Sequence, residues 1–191
     1  MLAVLPESLP PVRLYTYTQA CADLPESNQP CELWEGRLIM SPAPSFFHQE
    51  TVLTFYRSLY DWVIPRGLGK VIAAPIDMVL SEHNVTQPDV AFIAKHRLHI
   101  IDRVIMGPAD LVAEVISLGG RTRDRIEKRD LYEQYGVKEY WLIDPEARTI
   151  EVLSLENGAY QLVIRATPGQ SAPSRLLSGF ICPVAHLLPP P

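Results

Sequence analysis

Apolar residues recur along this chain with two periods, and the changes of period mark its elements. From Ser45 to Ile64, Phe47, Val52, Phe55, Leu59, Trp62 and Val63 return at helical intervals, and Pro65 and Gly67 close the run. Val71–Leu80 and Asp89–Ile93 read as strands; Pro75, which has no N–H to donate, marks an irregularity or a sheet edge in the first. Leu111–Ile116 is apolar on both faces apart from Glu114, as in a central strand. Arg123–Tyr135 predicts a helix with Gly136 placed to end it, and Glu139–Ile143 predicts another strand. Two hairpins complete the pattern. Cys31–Trp34 and Arg37–Met40 flank Glu35-Gly36, and Thr149–Leu155 and Tyr160–Ile164 flank Glu156-Asn157-Gly158. A weaker helical signal covers Thr16–Leu24, with Thr16 or Thr18 as the cap. The order predicts an α/β or α+β fold, a sheet covered by helices, built as a single domain over 1–191.

Composition changes this picture at the ends and at the surface. Proline makes up 18 of 191 residues, well above the usual ~5%. Half of these lie before Cys31 or after Cys182, so the termini are expected to wrap or dangle. The net charge of -5 argues against coating nucleic acid by global charge, though not against a local basic face. Three cysteines, Cys21, Cys31 and Cys182, form no zinc spacing and read as free thiols of a reducing compartment. The first residues lack the basic start of a signal peptide, and no run approaches the ~20 apolar residues of a membrane span. A cytoplasmic protein without a membrane partner is expected.

Three carboxylates stand where burial makes them costly. Glu114 shares a strand face with Val112 and Ile116, Asp89 opens the apolar strand that follows Pro88, and Glu32 precedes Leu33-Trp34. Each has a plain alternative: Glu114 paired with Arg121 or Arg123, Asp89 capping a turn, Glu32 facing water. Together they suit a hard cation such as Mg²⁺. Lys128 lies on the apolar stripe with Leu131, Tyr132 and Tyr135, so it either snorkels outward or meets a carboxylate. An ordinary helical pair with Asp124 would not explain this face. Residues 121–129 hold five basic and two acidic side chains, with Arg121, Arg123 and Arg125 as candidate phosphate contacts; Lys95, Arg97 and Arg103 form a looser group. A solvated helix face is the commoner reading. No GxSxG, Walker A or GxGxxG motif occurs. His48, near the start of the long helix, could face the carboxylates or be structural.

Several blocks carry a family resemblance. These are Glu32-Leu33-Trp34-Glu35-Gly36, Met40-Ser41-Pro42 with His48, Pro88-Asp89-Val90, Glu114-Val115-Ile116-Ser117, Arg123-Asp124 with Lys128 and Tyr132, and Gly136–Pro145. The chain resembles the Uma2 family, formerly DUF820, of the PD-(D/E)XK nuclease superfamily. The resemblance implies a restriction-endonuclease-like core, a mixed sheet flanked by helices, with added hairpins. It implies Asp89 and Glu114 as metal ligands and Glu32 as the upstream acidic residue. The usual lysine position, two after the glutamate, is Ile116 here, so the resemblance implies that Lys128 supplies a migrated ammonium. Cys31, Arg37 and Leu118-Gly119-Gly120 depart from the usual family pattern.

The expected activity is metal-dependent hydrolysis of DNA phosphodiesters, using Mg²⁺ or Mn²⁺ on Asp89, Glu114 and Glu32. Lys128 would orient the nucleophile or stabilise the transition state, with His48 and Tyr132 as supporting groups. A homodimer is expected, since two sites can cut two strands. The rival expectations are a catalytically idle nuclease fold that binds protein or nucleic acid, and a structural oligomer that pairs through the Trp141 strand or the final hairpin.

Overall fold

The computed structural model describes residues 13–23, 31–117 and 123–188. The elements in chain order are α1 (Tyr17–Asp23), β1 (Cys31–Trp34), β2 (Arg37–Met40), α2 (Phe46–Val63), β3 (Gly69–Ala73), β4 (Met78–Ser81), β5 (Asn84–Thr86), β6 (Val90–Ala94), β7 (Ile105–Met106), β8 (Leu111–Val115), α3 (Arg129–Tyr135), β9 (Glu139–Asp144), β10 (Thr149–Glu156), β11 (Ala159–Ala166), β12 (Ser171–Pro173), β13 (Ile181–Pro183) and α4 (Val184–Leu187). A 3-10 segment spans Lys95–Ile100, and a π-helical segment, Arg123–Lys128, leads into α3.

The main sheet has the order β11-β10-β9-β8-β6-β3. Its inner strands β8 and β9 run parallel and are buried on both faces, as the run of β8, apolar on both faces apart from Glu114, predicts. On one face Leu111, Ala113, Val115, Trp141 and Ile143 pack against Val52, Phe55, Leu59 and Val63 of α2. On the other, Val112, Ile116, Tyr140 and Leu142 meet Tyr132 of α3 together with Met78 and Ile105. Those last two belong to a second sheet, β2-β1-β5-β4-β7. Each large apolar side chain sealed in these layers contributes about 1.5–3 kcal/mol. This is a mixed α+β fold, a central sheet flanked by helices. Among the described residues no helix is long and apolar enough to cross a membrane.

The predicted hairpins form at their expected turns. Asn157 and Gly158 both adopt positive φ, 53° and 84°, which suits a tight hairpin turn and favours Asn-Gly there. Gly136 ends α3 in the left-handed region, φ 82°, while its N–H stays bonded to the last turn. The predicted strand Val71–Leu80 is corrected. Its two halves, β3 and β4, lie in different sheets, because Pro75 interrupts the ladder where the chain crosses between them. Phe47 is corrected too. It stands five residues before Val52, about 140° around the helix at 100° per residue, so it faces out when Val52 faces in. It is 73% exposed. The end of the predicted helix Thr16–Leu24 falls at Leu24, outside the described residues.

One buried carboxylate serves the fold alone. Glu139 is fully enclosed. Its Oε1 accepts from Trp141 Nε1 (2.8 Å) and Ser174 Oγ (2.6 Å), and its Oε2 from the N–H groups of Arg175 (2.7 Å) and Leu176 (2.9 Å). Four donors replace the water the anion loses on burial, and they tie the C-terminal segment to the sheet.

Candidate active site

Antiparallel pairing of β6 with β8 sets Val90 opposite Ala113 and Ala91 opposite Val112. One step further, the same register brings Asp89 beside Glu114. Cross-strand neighbours share a face, and here the face is the one covered by α3. The backbone N–H of Val115 donates to Asp89 Oδ2 at 2.8 Å, and His48 Nε2 lies 3.4 Å from the same oxygen. Ser45 caps α2 by accepting from the His48 N–H, which fixes the helix turn that delivers the imidazole.

The second sheet supplies Glu32. Its Oε1 accepts from the Gln87 backbone N–H at 2.9 Å, so the chain entering Pro88-Asp89 also holds the glutamate of β1. The π-helical segment before α3 supplies the cation. Lys128 Nζ stands 2.9 Å from Glu114 Oε1, 3.3 Å from Glu32 Oε1 and 4.0 Å from Asp124 Oδ1. One turn on, the Tyr132 hydroxyl donates to Glu114 Oε1 at 2.7 Å, and Tyr140 donates to the Asp124 carbonyl at 2.9 Å. Lys128 is only 6% exposed, so the reading that it meets carboxylates, rather than snorkelling, holds.

Glu32, Asp89, Glu114 and Asp124 all act on this single ammonium. Desolvation disfavours the charged Lys128, but the four surrounding carboxylates outweigh it and raise its pKa. Burial raises the Glu114 pKa well above the usual glutamate range. Lys128 opposes this, while Asp89, Asp124 and Glu32 reinforce it. Asp124 is likewise pushed up to about 6 by burial, against the pull of Lys128 and Arg123. For His48, burial lowers the pKa, but bonding to Asp89, its charge and the Val115 backbone raise it overall. Four carboxylates thus gather around one enclosed ammonium.

Glu32, Asp89, Glu114 and Asp124 supply carboxylate oxygens, the donor type that hard divalent ions such as Mg²⁺ prefer. Among the described residues no three His, Cys, Asp or Glu side chains already converge in cation-binding geometry. Lys128 instead sits between Glu32 and Glu114, within ion-pairing distance of both.

The proposed phosphate contacts separate. Arg123 is half-buried and donates to Ser41 Oγ at 3.1 Å, which tethers the segment after β2 beside the site. Arg125 is held inside the fold by Asp144 (3.0 Å) and Glu151 (2.5 Å), a structural engagement that ties the helix to β9 and β10. Arg121 lies outside the described residues. In the looser basic group, Arg97 pairs with the buried Asp110 at 3.1 Å. The alternative pairing of Glu114 with Arg123 is not what the structure contains, since Lys128 takes that role. Asp124, which the sequence offers only as an ordinary helical partner of Lys128, joins the carboxylate set. The sequence signal for it is its place four residues before Lys128.

The fold is a mixed sheet flanked by helices in which β6 and β8 bring Asp89 beside Glu114 and the helical segment before α3 supplies Lys128. A solved structure described as a putative nuclease belonging to DUF820, from Anabaena variabilis, superimposes with a TM-score of 0.77 at 19% identity, covering 90% of this chain and 96% of that one. The family described as Uma2, putative restriction endonuclease, matches residues 16–185, and the chain belongs to that family. No curated protein matches it.

Proposed function

We propose that this protein is a metal-dependent nuclease that hydrolyses DNA phosphodiesters. The observation that carries the reading is Asp89 beside Glu114 across β6 and β8, with Lys128 Nζ 2.9 Å from the glutamate. Asp89 and Glu114, with Glu32 beside them, would hold Mg²⁺ or Mn²⁺, which would supply a Lewis acid and a bound water of lowered pKa. Lys128 would place its ammonium against a phosphoryl oxygen as negative charge develops there. Tyr132 holds the Glu114 carboxylate in one orientation, while the Val115 N–H and His48 do the same for Asp89. Carboxylates held this way lose little further freedom when a cation arrives.

The ion pairs of Lys128 with Glu32 and Glu114 also favour a second reading, in which the ammonium is a permanent internal counter-ion and the fold binds a partner without cutting it. Incubation with supercoiled plasmid and with single-stranded DNA, in Mg²⁺, Mn²⁺ or chelator, separates the two. The nuclease reading expects cleavage that needs the divalent ion and is nearly lost in Asp89→Ala and Glu114→Ala. Equal cleavage by wild type and Glu114→Ala would refute it.

A further inference from the structure

Lys128 is already committed inside the site. Its ammonium is shared among Glu114 at 2.9 Å, Glu32 at 3.3 Å and Asp124 at 4.0 Å, and the residue is buried. A DNA strand that approaches this cluster meets four carboxylates, so holding its phosphate before any chemistry calls for a second cation. Arg125 is not that cation, because Asp144 and Glu151 hold it. Arg123 is placed differently. It directly precedes Asp124, and its charge acts on that carboxylate. Its Nη1 donates to Ser41 Oγ at 3.1 Å. The first hairpin sets where Ser41 stands. Glu32 of β1 pairs with Ile39 of β2, and Ser41, two residues on, continues the same strand face. The Arg123–Ser41 bond therefore joins the face that carries Glu32 to the segment that carries Asp124 and Lys128. A guanidinium has five N–H groups. Among the described residues the bond to Ser41 is the one that Arg123 makes, so this half-buried side chain keeps donors for a ligand.

We propose that Arg123 is the phosphate anchor of this site: its guanidinium, aimed by Ser41, binds a backbone phosphate of the DNA strand that lies across Asp89 and Glu114. The inference rests on the nuclease reading and names the residue that holds the strand in place. Arginine suits the task because its planar fork presents two parallel N–H groups to two phosphate oxygens, where lysine offers a point charge. Ser41 occupies Nη1 and leaves the edge formed by Nε and Nη2 for the phosphate. A phosphate contact fixes the register of the strand without reading its sequence. It also gives a chain of net charge -5 a local cation at the point of chemistry.

The test measures fluorescence anisotropy of a labelled DNA duplex in chelator, at salt from about 50 to 200 mM, with wild type, Arg123→Gln, Arg123→Lys and Ser41→Ala. Cleavage of the same duplex in Mg²⁺ is followed in parallel, with Glu114→Ala added, and thermal melts check that each variant is folded. Arg123→Gln is expected to lose about tenfold in affinity at the lowest salt, and its plot of log affinity against log salt should be shallower by about 0.9, the share of one neutralised phosphate. Arg123→Lys should recover the slope and only part of the affinity, since the charge returns without the fork. Ser41→Ala should keep the slope and lose about threefold in affinity, as the guanidinium is no longer aimed. Wild-type affinity in Arg123→Gln overturns the anchor. So does weaker binding at an unchanged slope, which would make Arg123 a tether for the segment after β2 and nothing more. Should Arg123→Gln fail to fold, unchanged affinity in both Arg123→Lys and Ser41→Ala overturns it instead. The cleavage arm judges the nuclease reading separately. If Glu114-dependent cleavage persists while the Arg123 variants bind as wild type does, that reading stands without the anchor. If wild type binds with an Arg123-dependent slope and does not cut, the anchor stands and the nuclease reading falls. If wild type neither binds nor cuts, both fall.

Discussion

Replacing Glu114 with glutamine probes the charge balance of the site most directly. The change keeps the shape, and the amide oxygen can still accept from Tyr132 at the position now 2.7 Å away. It removes one of four carboxylates that surround Lys128, while Glu32 remains at 3.3 Å and Asp124 at 4.0 Å to hold the ammonium. The Coulomb attraction lost at 2.9 Å is large in gross terms, about 6 kcal/mol at an effective dielectric of about 20. Against it stand the desolvation of a fully buried carboxylate, several kcal/mol, and repulsion from Asp89, Asp124 and Glu32. The raised Glu114 pKa says that desolvation and repulsion win. A carboxyl whose folded pKa lies above its unfolded value holds a proton that the unfolded chain releases. Wild-type stability therefore declines as pH rises from about 4.3 through the folded pKa. Glu114→Gln should match wild type at acid pH and gain on it above that range, by on the order of 1 kcal/mol, or about 2–4 °C in Tm. Adding 10 mM Mg²⁺ should reverse the order. A site with Kd near 1 mM stabilises wild type by about 1.4 kcal/mol and the variant by far less. Thermal melts across pH, in chelator and in Mg²⁺, read both effects. A clear loss of stability for Glu114→Gln at neutral pH in chelator would show that Glu114 is a structural ion-pair partner, and the argument would fail.

Lys128→Met leaves its carboxylates without their ammonium and should cost about 3–5 kcal/mol at neutral pH, read by urea denaturation; a loss below about 1 kcal/mol would contradict the enclosed ion pairs. Glu139→Gln should cost on the order of 3 kcal/mol, because either amide orientation points its NH₂ at two donors; tryptophan fluorescence during denaturation, reporting Trp141 among the others, checks it. Asp110 is desolvated, which raises its pKa, but the bonds from Lys138, the Ala94 N–H and Arg97 lower it overall. Its contribution is present above about pH 3.9 and is lost as pH falls through the folded value, so Asp110→Asn should be less stable at pH 7, with the gap closing below pH 4 in acid-denaturation curves.

What the chain determined locally was legible without coordinates. The apolar run with Glu114 in its middle marks a strand buried on both faces, and the stripe shared by Lys128 and Tyr132 marks a lysine turned inward. Helical and strand periods follow from backbone geometry within a few residues, so they survive in the linear pattern. Asn157-Gly158 and Gly136 declare their turns for the same reason, since their positive φ is a property of the single residue. The tertiary structure decided what depends on distant segments. The β6–β8 register placed Asp89 beside Glu114, and a second sheet delivered Glu32 to a lysine 96 positions along the chain. Whether Val71–Leu80 made one strand or two was settled by which sheets compete for its halves, and no local period encodes that choice. Phe47 lies about 140° around α2 from Val52, off the stripe that packs on the sheet. The sheet beneath α2 takes up Val52, Phe55, Leu59 and Val63 and leaves Phe47 exposed.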